Sequence, residues 1–151
     1  MISYIGVVLA QVEPPPWSVV FGLMGGLGLL MVVSGIFVIR LARRAANGEL
    51  ERNGWAGIRT KATRASDEAW LVAHQVGLAK TVFAGRLLAG SAVVGAALGL
   101  AIGAGNPSRT LVVWGITITV VSMASIVPLI QASLAGDRAA MEVAEQLPAD
   151  R

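Results

Sequence analysis

Asn53, Gly57, Arg59, Thr60, Asp67, Trp70 and His74 stand close together in a polar segment between long apolar ones, and their types suit recognition better than bond-making. An amide, a guanidinium, a hydroxyl, a carboxylate, an indole N–H and an imidazole can grip a polar ligand or each other. Catalysis needs more: a nucleophile with its base, a phosphate-cradling glycine loop after a strand, or two facing acids. Asp67 and Glu68 are adjacent, so on a helix they point about 100° apart and cannot face one another. His74 is the single histidine and there is no cysteine, which leaves too few ligands for zinc. The expectation is therefore no enzyme, no metal and no cofactor, with His74 in a hydrogen-bonding role and a titration range that permits pH sensing.

These residues need a loop and a helix to hold them. Ser66 suits an N-cap, with Asp67 and Glu68 opposing the positive end of the helix dipole. The spacing predicts a helix through Gly77 on which Asp67, Trp70, His74 and Gly77 or Leu78 share one face. That face can lie on the membrane surface with Trp70 at headgroup depth. Two readings of the cluster stay open. It forms a binding site for a peptide, lipid headgroup or partner at the mouth of a helix bundle, or it is architectural, with Arg59 pinning the loop to carbonyls or an acid.

Gly57-Ile58-Arg59-Thr60, then Thr63, then Ser66-Asp67-Glu68-Ala69-Trp70, then His74 leading into a hydrophobic helix, resembles the signature of the SdpI family. These are membrane proteins named for immunity to a sporulation-delaying peptide toxin. Glu51-Arg52 stands here where the family often has prolines. The resemblance implies an integral membrane protein that protects against, or senses, a membrane-active peptide through this polar segment.

Composition points the same way. Of 151 residues, 55% are hydrophobic and 14% charged, with a mean hydropathy of +0.70, too little polar surface to coat a soluble globule. No residue from Pro14 to Ile39 is charged. From Trp17 onward that stretch makes a helix of roughly 34 Å, enough to cross a hydrocarbon core about 30 Å thick. Leu87–Gly105 and Thr110–Gly136 are likewise uncharged, and the turn-rich Gly103–Ser108 between them predicts antiparallel neighbours. Eight of the twelve basic residues lie between Arg40 and Lys80, so the positive-inside rule places that loop and the C-terminus in the cytoplasm of a plasma membrane. Because they cluster beside spans rather than along a soluble face, nucleic acid is not an expected partner. Usage rich in Ala, Gly and Arg fits a high-GC bacterium.

The expected architecture is all-α: a three-helix membrane bundle with a cytoplasmic amphipathic helix between spans one and two. Its parts are an extracytoplasmic segment over 1–16, spans over 17–41, 81–105 and 109–135, the signature loop and amphipathic helix over 42–80, and a cytoplasmic tail over 136–151. Met1–Val12 is expected as an uncleaved interfacial segment, since it lacks the basic start of a signal peptide. Asp137–Leu147 has helix-forming composition. Small residues invite helix packing at Gly22 and Gly26 in span one and at Gly95, Gly99 and Gly103 in span two, within the chain before between chains. Pro128 is expected to kink span three, with Ser122 and Ser125 near the freed carbonyl of Ala124 and a small polar pocket toward Gln131. Arg86 is expected to snorkel from near the cytoplasmic boundary, with Asp67 and Glu68 as its candidate partners. Beside peptide immunity stand two alternatives: an accessory or regulatory subunit of a larger membrane complex such as an envelope transporter or synthase, and a small transporter or lipid-handling protein built around Arg59 and His74. Membrane lipids, a peptide toxin or such a complex are the expected partners.

Overall fold

The structure is a computed structural model and describes residues 13–146, so the expectations for Met1–Val12 and for the chain from Leu147 on lie outside the described residues. It consists of three long helices: α1 (Trp17–Ala46), α2 (Asp67–Gly103) and α3 (Pro107–Gln146). Each is long and apolar enough to cross a membrane. Pro16 sits in extended conformation before α1, as a proline run without N–H donors requires. Arg43 and Arg44 occupy the last turn of α1, where cations meet the negative end of the helix dipole.

One expectation needs correcting. No separate amphipathic helix lies between spans one and two; the segment from Asp67 is the first part of α2 itself. The N-cap is as expected, with Ser66 Oγ accepting from the Ala69 N–H at 3.0 Å. Nothing between Asp67 and Gly103 breaks the backbone ladder, since a proline is absent and every charged residue is compatible with a helix. At 1.5 Å per residue α2 runs about 55 Å and α3 about 60 Å, so both project well beyond a 30 Å hydrocarbon core. The polar sequence of α2 lies in its first turns, residues 67–80.

α2 is the central element and packs against both other helices, while α1 and α3 meet far less. Small residues set these contacts. A Cβ on Gly35 of α1 would lie 2.5 Å from the Gly85 carbonyl oxygen, and Gly28 faces Ala92. On its other side α2 offers Gly77, Gly95, Gly99 and Gly103 to α3, where Ala132, Trp114, Ile118 and Thr110 fill the space. Inside lipid, where apolar burial gives no drive to associate, such close backbone approach supplies dispersion contacts instead. Gly22 and Gly26, by contrast, have nothing within 4 Å, so the within-chain packing expected of them falls to Gly28 and Gly35. The GxxxG spacing marks a helix that can be approached closely, and their face of α1 points away from the bundle.

The α2–α3 turn holds Ala104 and Gly105 at positive φ, and Asn106 Oδ1 caps α3 by accepting from the Arg109 N–H at 3.0 Å. Pro128 lies buried within α3, where the Ser125 hydroxyl bonds to the Ser122 carbonyl at 2.6 Å and Ser122 reaches toward Met31 Sδ. The two hydroxyls expected near the Ala124 carbonyl are thus engaged elsewhere. A shallow cavity does border Pro128 and Gln131, with Lys80 at its edge.

Candidate functional site

The chain between α1 and α2, residues 47–66, has no regular structure and must satisfy its backbone groups by other means. Asn53 makes an Asx turn: its Oδ1 accepts from the N–H groups of Trp55 and Ala56 at 2.8 and 3.0 Å, and its Nδ2 donates to the Glu51 carbonyl. Thr60 and Thr63 close a reciprocal turn. The Thr60 N–H donates to Thr63 Oγ1 at 2.9 Å, the Thr63 N–H to Thr60 Oγ1 at 3.1 Å, and the Thr63 hydroxyl to the Ile58 carbonyl at 2.8 Å. Arg59 donates from Nη1 to the Gly54 carbonyl at 2.5 Å.

Two side chains of α2 tie this loop down. Trp70, 3% exposed, donates its indole N–H to the Leu50 carbonyl at 3.0 Å. One turn on, the His74 ring lies against it with centroids 4.3 Å apart. His74 Nε2 accepts from the Ile58 N–H at 2.9 Å, while Nδ1 lies 2.7 Å from the Trp70 carbonyl oxygen. A backbone N–H can only donate and a carbonyl can only accept, so these contacts require the neutral ring with its proton on Nδ1. Burial in these polar first turns of α2 pushes the His74 pKa below its ordinary 6.5, and the bond to Trp70 offsets part of that. A protonated ring would set Nε2–H against the Ile58 N–H.

Gly57 makes the clasp possible. Its φ is +93°, a conformation L side chains rarely adopt, and a Cβ there would collide with His74 Nε2. The next residue, Ile58, then drops between α2 and α3: Cβ atoms on Gly77 and on Gly136 would each lie 2.8 Å from its Cδ1. Around this wedge the two helices are lined by small residues at four-residue spacing, Ala69, Ala73 and Gly77 facing Ala132, Gly136 and Ala140. Ala69, Ala73 and Ala140 form a buried cluster with Ala62 of the loop and Val143 packed on it.

The face of α2 carrying Trp70 and His74 therefore packs on the loop rather than lying on a membrane surface, a correction that follows from the two polar ring atoms finding backbone partners there. Asp67 stays largely exposed and pairs with Arg52 at 3.2 Å, not with Arg86, which is exposed with no ion pair among the described residues. Asn53, Gly57, Arg59, Thr60, Trp70 and His74 come together in one network, with Asp67 at its edge. Thr63, fully buried, and Ile58 belong to the network and were not among the expected site residues. A threonine three residues after another is a signal for such a turn, whereas nothing in the sequence marks Ile58 as a wedge.

Beneath the clasp lies a cavity of about 420 Å³. Its walls are Val38, Leu41, Ala42 and Ala45 of α1 and Leu129, Ala132 and Ser133 of α3. Thr81 and His74 of α2 form its floor, and Gly57, Ile58 and Arg59 border it from the loop. The lining is largely apolar, with His74, Thr81, Ser133 and Arg59 as its polar members. This arrangement can hold an amphipathic molecule; its hydroxyls are those of Thr81, which donates to the Gly77 carbonyl at 3.0 Å, and Ser133, and among the described residues no three His, Cys, Asp or Glu side chains gather as metal ligands.

The sequence profile of the SdpI/YfhL protein family matches residues 49–132. No curated protein and no solved structure gives a significant match. The matched span starts in the loop, takes in the whole clasp and ends at Ala132, where α3 meets Gly77, so it covers more than half of the chain and the network just described. With its three helices long and apolar enough to cross a membrane, the chain belongs to the SdpI/YfhL protein family.

Proposed function

We propose that this protein is a non-enzymatic member of its family that confers immunity to, or senses, a membrane-active peptide, and that the clasped loop and the cavity beneath it receive that peptide. The loop end faces the cytoplasm in this reading, because the basic residues between Arg40 and Lys80 favour the inner side. The observation that supports it best is the position of the family-matched loop: Gly57, Ile58 and Arg59 border a cavity whose remaining lining is apolar apart from His74, Thr81 and Ser133. A peptide already dissolved in the bilayer reaches such a site sideways, between α1 and α3, without crossing water. Its apolar side chains match the walls, and a polar terminus matches the clasp.

The test is a killing assay. Cells lacking the protein should be sensitised to a secreted membrane-active peptide, the wild-type gene should restore survival, and Arg59→Ala should fail to restore it although the protein accumulates normally. Unchanged killing across a panel of such peptides overturns the reading.

A second reading has its own support. Gly22 and Gly26 lie on a face of α1 with nothing near them, which suits a helix of another protein and hence an accessory or regulatory subunit of a larger membrane complex. Purification in mild detergent with mass spectrometry should then yield a stable partner that Gly22→Leu releases, and a chain recovered alone counts against it.

A further inference from the structure

We propose that in cells not exposed to such a peptide the cavity under the loop is a lipid site, occupied by one phospholipid with an anionic headgroup that an arriving peptide would have to displace. This goes beyond peptide recognition and stands whether or not the protein confers immunity.

The position of the cavity is the first argument. Its α1 wall, Val38 to Ala45, spans Arg40, Arg43 and Arg44, the residues that end the first apolar run. The cavity therefore straddles the boundary between hydrocarbon and headgroups, where a phospholipid changes from tail to phosphate. Shape is the second. α1 and α3 share the cluster around Trp114 toward one end of the bundle, whereas at the loop end the cavity separates them, with α2 as its floor. A chain can enter such a cleft from the bilayer. Its volume is that of a small-ligand site, too small for a folded partner.

Charge is the third argument. Arg59 borders the cavity, makes one hydrogen bond to a carbonyl, and has no carboxylate partner among the described residues. A guanidinium has five N–H donors in a planar fork that matches a phosphate oxygen pair. Of the acids in this segment Asp67 pairs with Arg52 and Glu49 with Arg44, while Glu51 and Glu68 form no ion pair with Arg59. Basic pockets between membrane helices hold anionic headgroups on this basis. Trp55, 91% exposed in the same loop, adds an aromatic of the kind that anchors at headgroup depth.

The full chain, purified in mild detergent, is to be extracted for lipid analysis and also titrated by native mass spectrometry with phosphatidylglycerol or phosphatidylcholine. One tightly retained phosphatidylglycerol per chain is expected, with phosphatidylcholine bound about ten-fold more weakly or less, as the loss of hydrogen bonds to a charged group implies. Arg59→Gln and Ser133→Leu, the second of which narrows the cavity without touching a charge, should each lower retention about ten-fold. Lys61→Gln, which removes an exposed loop charge outside the cavity, should leave it unchanged. Glycerol 3-phosphate, the headgroup without tails, should not compete. Equal retention of both lipids, equal loss in Lys61→Gln, retention unaltered in Ser133→Leu, competition by glycerol 3-phosphate, or recovery of a peptide in place of lipid would each overturn the proposal.

Discussion

The two ends of this bundle are held by different physics. At the loop end, α2 and α3 are separated by small side chains and an inserted isoleucine, and the two buried α2 side chains that tie the loop down both use backbone groups: Trp70 the Leu50 carbonyl, His74 the Ile58 N–H. At the other end the contact is made of bulk. Val20 and Met24 of α1 and Trp114 of α3 form a buried cluster, and Gly95, Gly99 and Gly103 let α3 close on α2. There the Trp114 indole nitrogen and Thr110 hydroxyl are buried and find no partner among the described residues. A polar network fixes one geometry because each member fails without the others, whereas an apolar contact tolerates adjustment. The family match takes in the loop, α2 and α3 as far as Ala132, and so parts of both regions, but stops short of α1, which supplies one wall of the cavity and two of the three buried residues of the apolar cluster.

The sharpest way to break the contrast is a methyl group. Gly57→Ala combines an unfavourable φ with a collision against His74, and should cost about 3 kcal/mol or more from strain and overpacking together. Gly22→Ala meets nothing and should be neutral, or stabilising by about 0.5–1 kcal/mol through helix propensity. Thermal unfolding in mild detergent compares them. Equal effects would mean that the loop does not hold the bundle.

The next largest effect concerns the wedge. Ile58→Ala empties the slot between Gly77 and Gly136 and should cost about 2 kcal/mol, the low end for a large-to-small change because the side chain is only partly buried. Ile58→Val should recover most of it. Protease cleavage after Arg59 or Lys61 reports the freed loop, and a loop no easier to cut in Ile58→Ala would show that the clasp suffices alone.

How much of this was legible follows the same division. Uncharged runs such as Pro14 to Ile39 exposed the spans directly, because length and charge are what a bilayer selects. The Ser66 cap and the clustering of Asn53, Arg59, Thr60, Trp70 and His74 were also readable. The destination of the Trp70–His74 face was not: a helix face with an acid, an indole and an imidazole suits a membrane surface as well as a loop, and only the irregular chain from Gly48 to Ala65 supplies the backbone partners that decide it. The helix expected through Gly77 likewise continues without a break past Lys80 and Arg86 into the second span. The Gly22/Gly26 motif misled because spacing encodes how closely a helix can be approached and not by what. The seven-residue series Gly28, Gly35, Ala42 names the buried side of α1 instead.

His74 sharpens the comparison through pH. Its folded pKa lies below 6.5, so an unfolded chain binds the proton first as pH falls. The clasp's contribution is therefore fully present above the unfolded value and is lost as pH drops from there through the lowered folded value, the direction opposite to a histidine stabilised by an acid. Hydrogen exchange at Ile58 should accelerate over that window. His74→Phe should cost about 1–3 kcal/mol at neutral pH, because the Ile58 N–H loses its acceptor, and should flatten the dependence. A wild-type profile without slope below 6.5 would mean that the ring accepts its proton in place.

The smallest effect is expected at the far end, where one hydroxyl isolates the difference between the two regions. Thr110→Val keeps the shape against Gly103 while replacing a buried, unpartnered oxygen by a methyl. Removing a polar group that has already lost water and gained no partner should be neutral or stabilising by up to about 1 kcal/mol. At the loop end the corresponding change, Thr63→Val, strips the Thr60 N–H of its acceptor and the Ile58 carbonyl of its donor, and should be clearly destabilising. The same chemical substitution would then carry opposite signs at two fully buried threonines. If both variants lose stability alike, the Thr110 hydroxyl has a partner after all and the far end is held by polar contacts too.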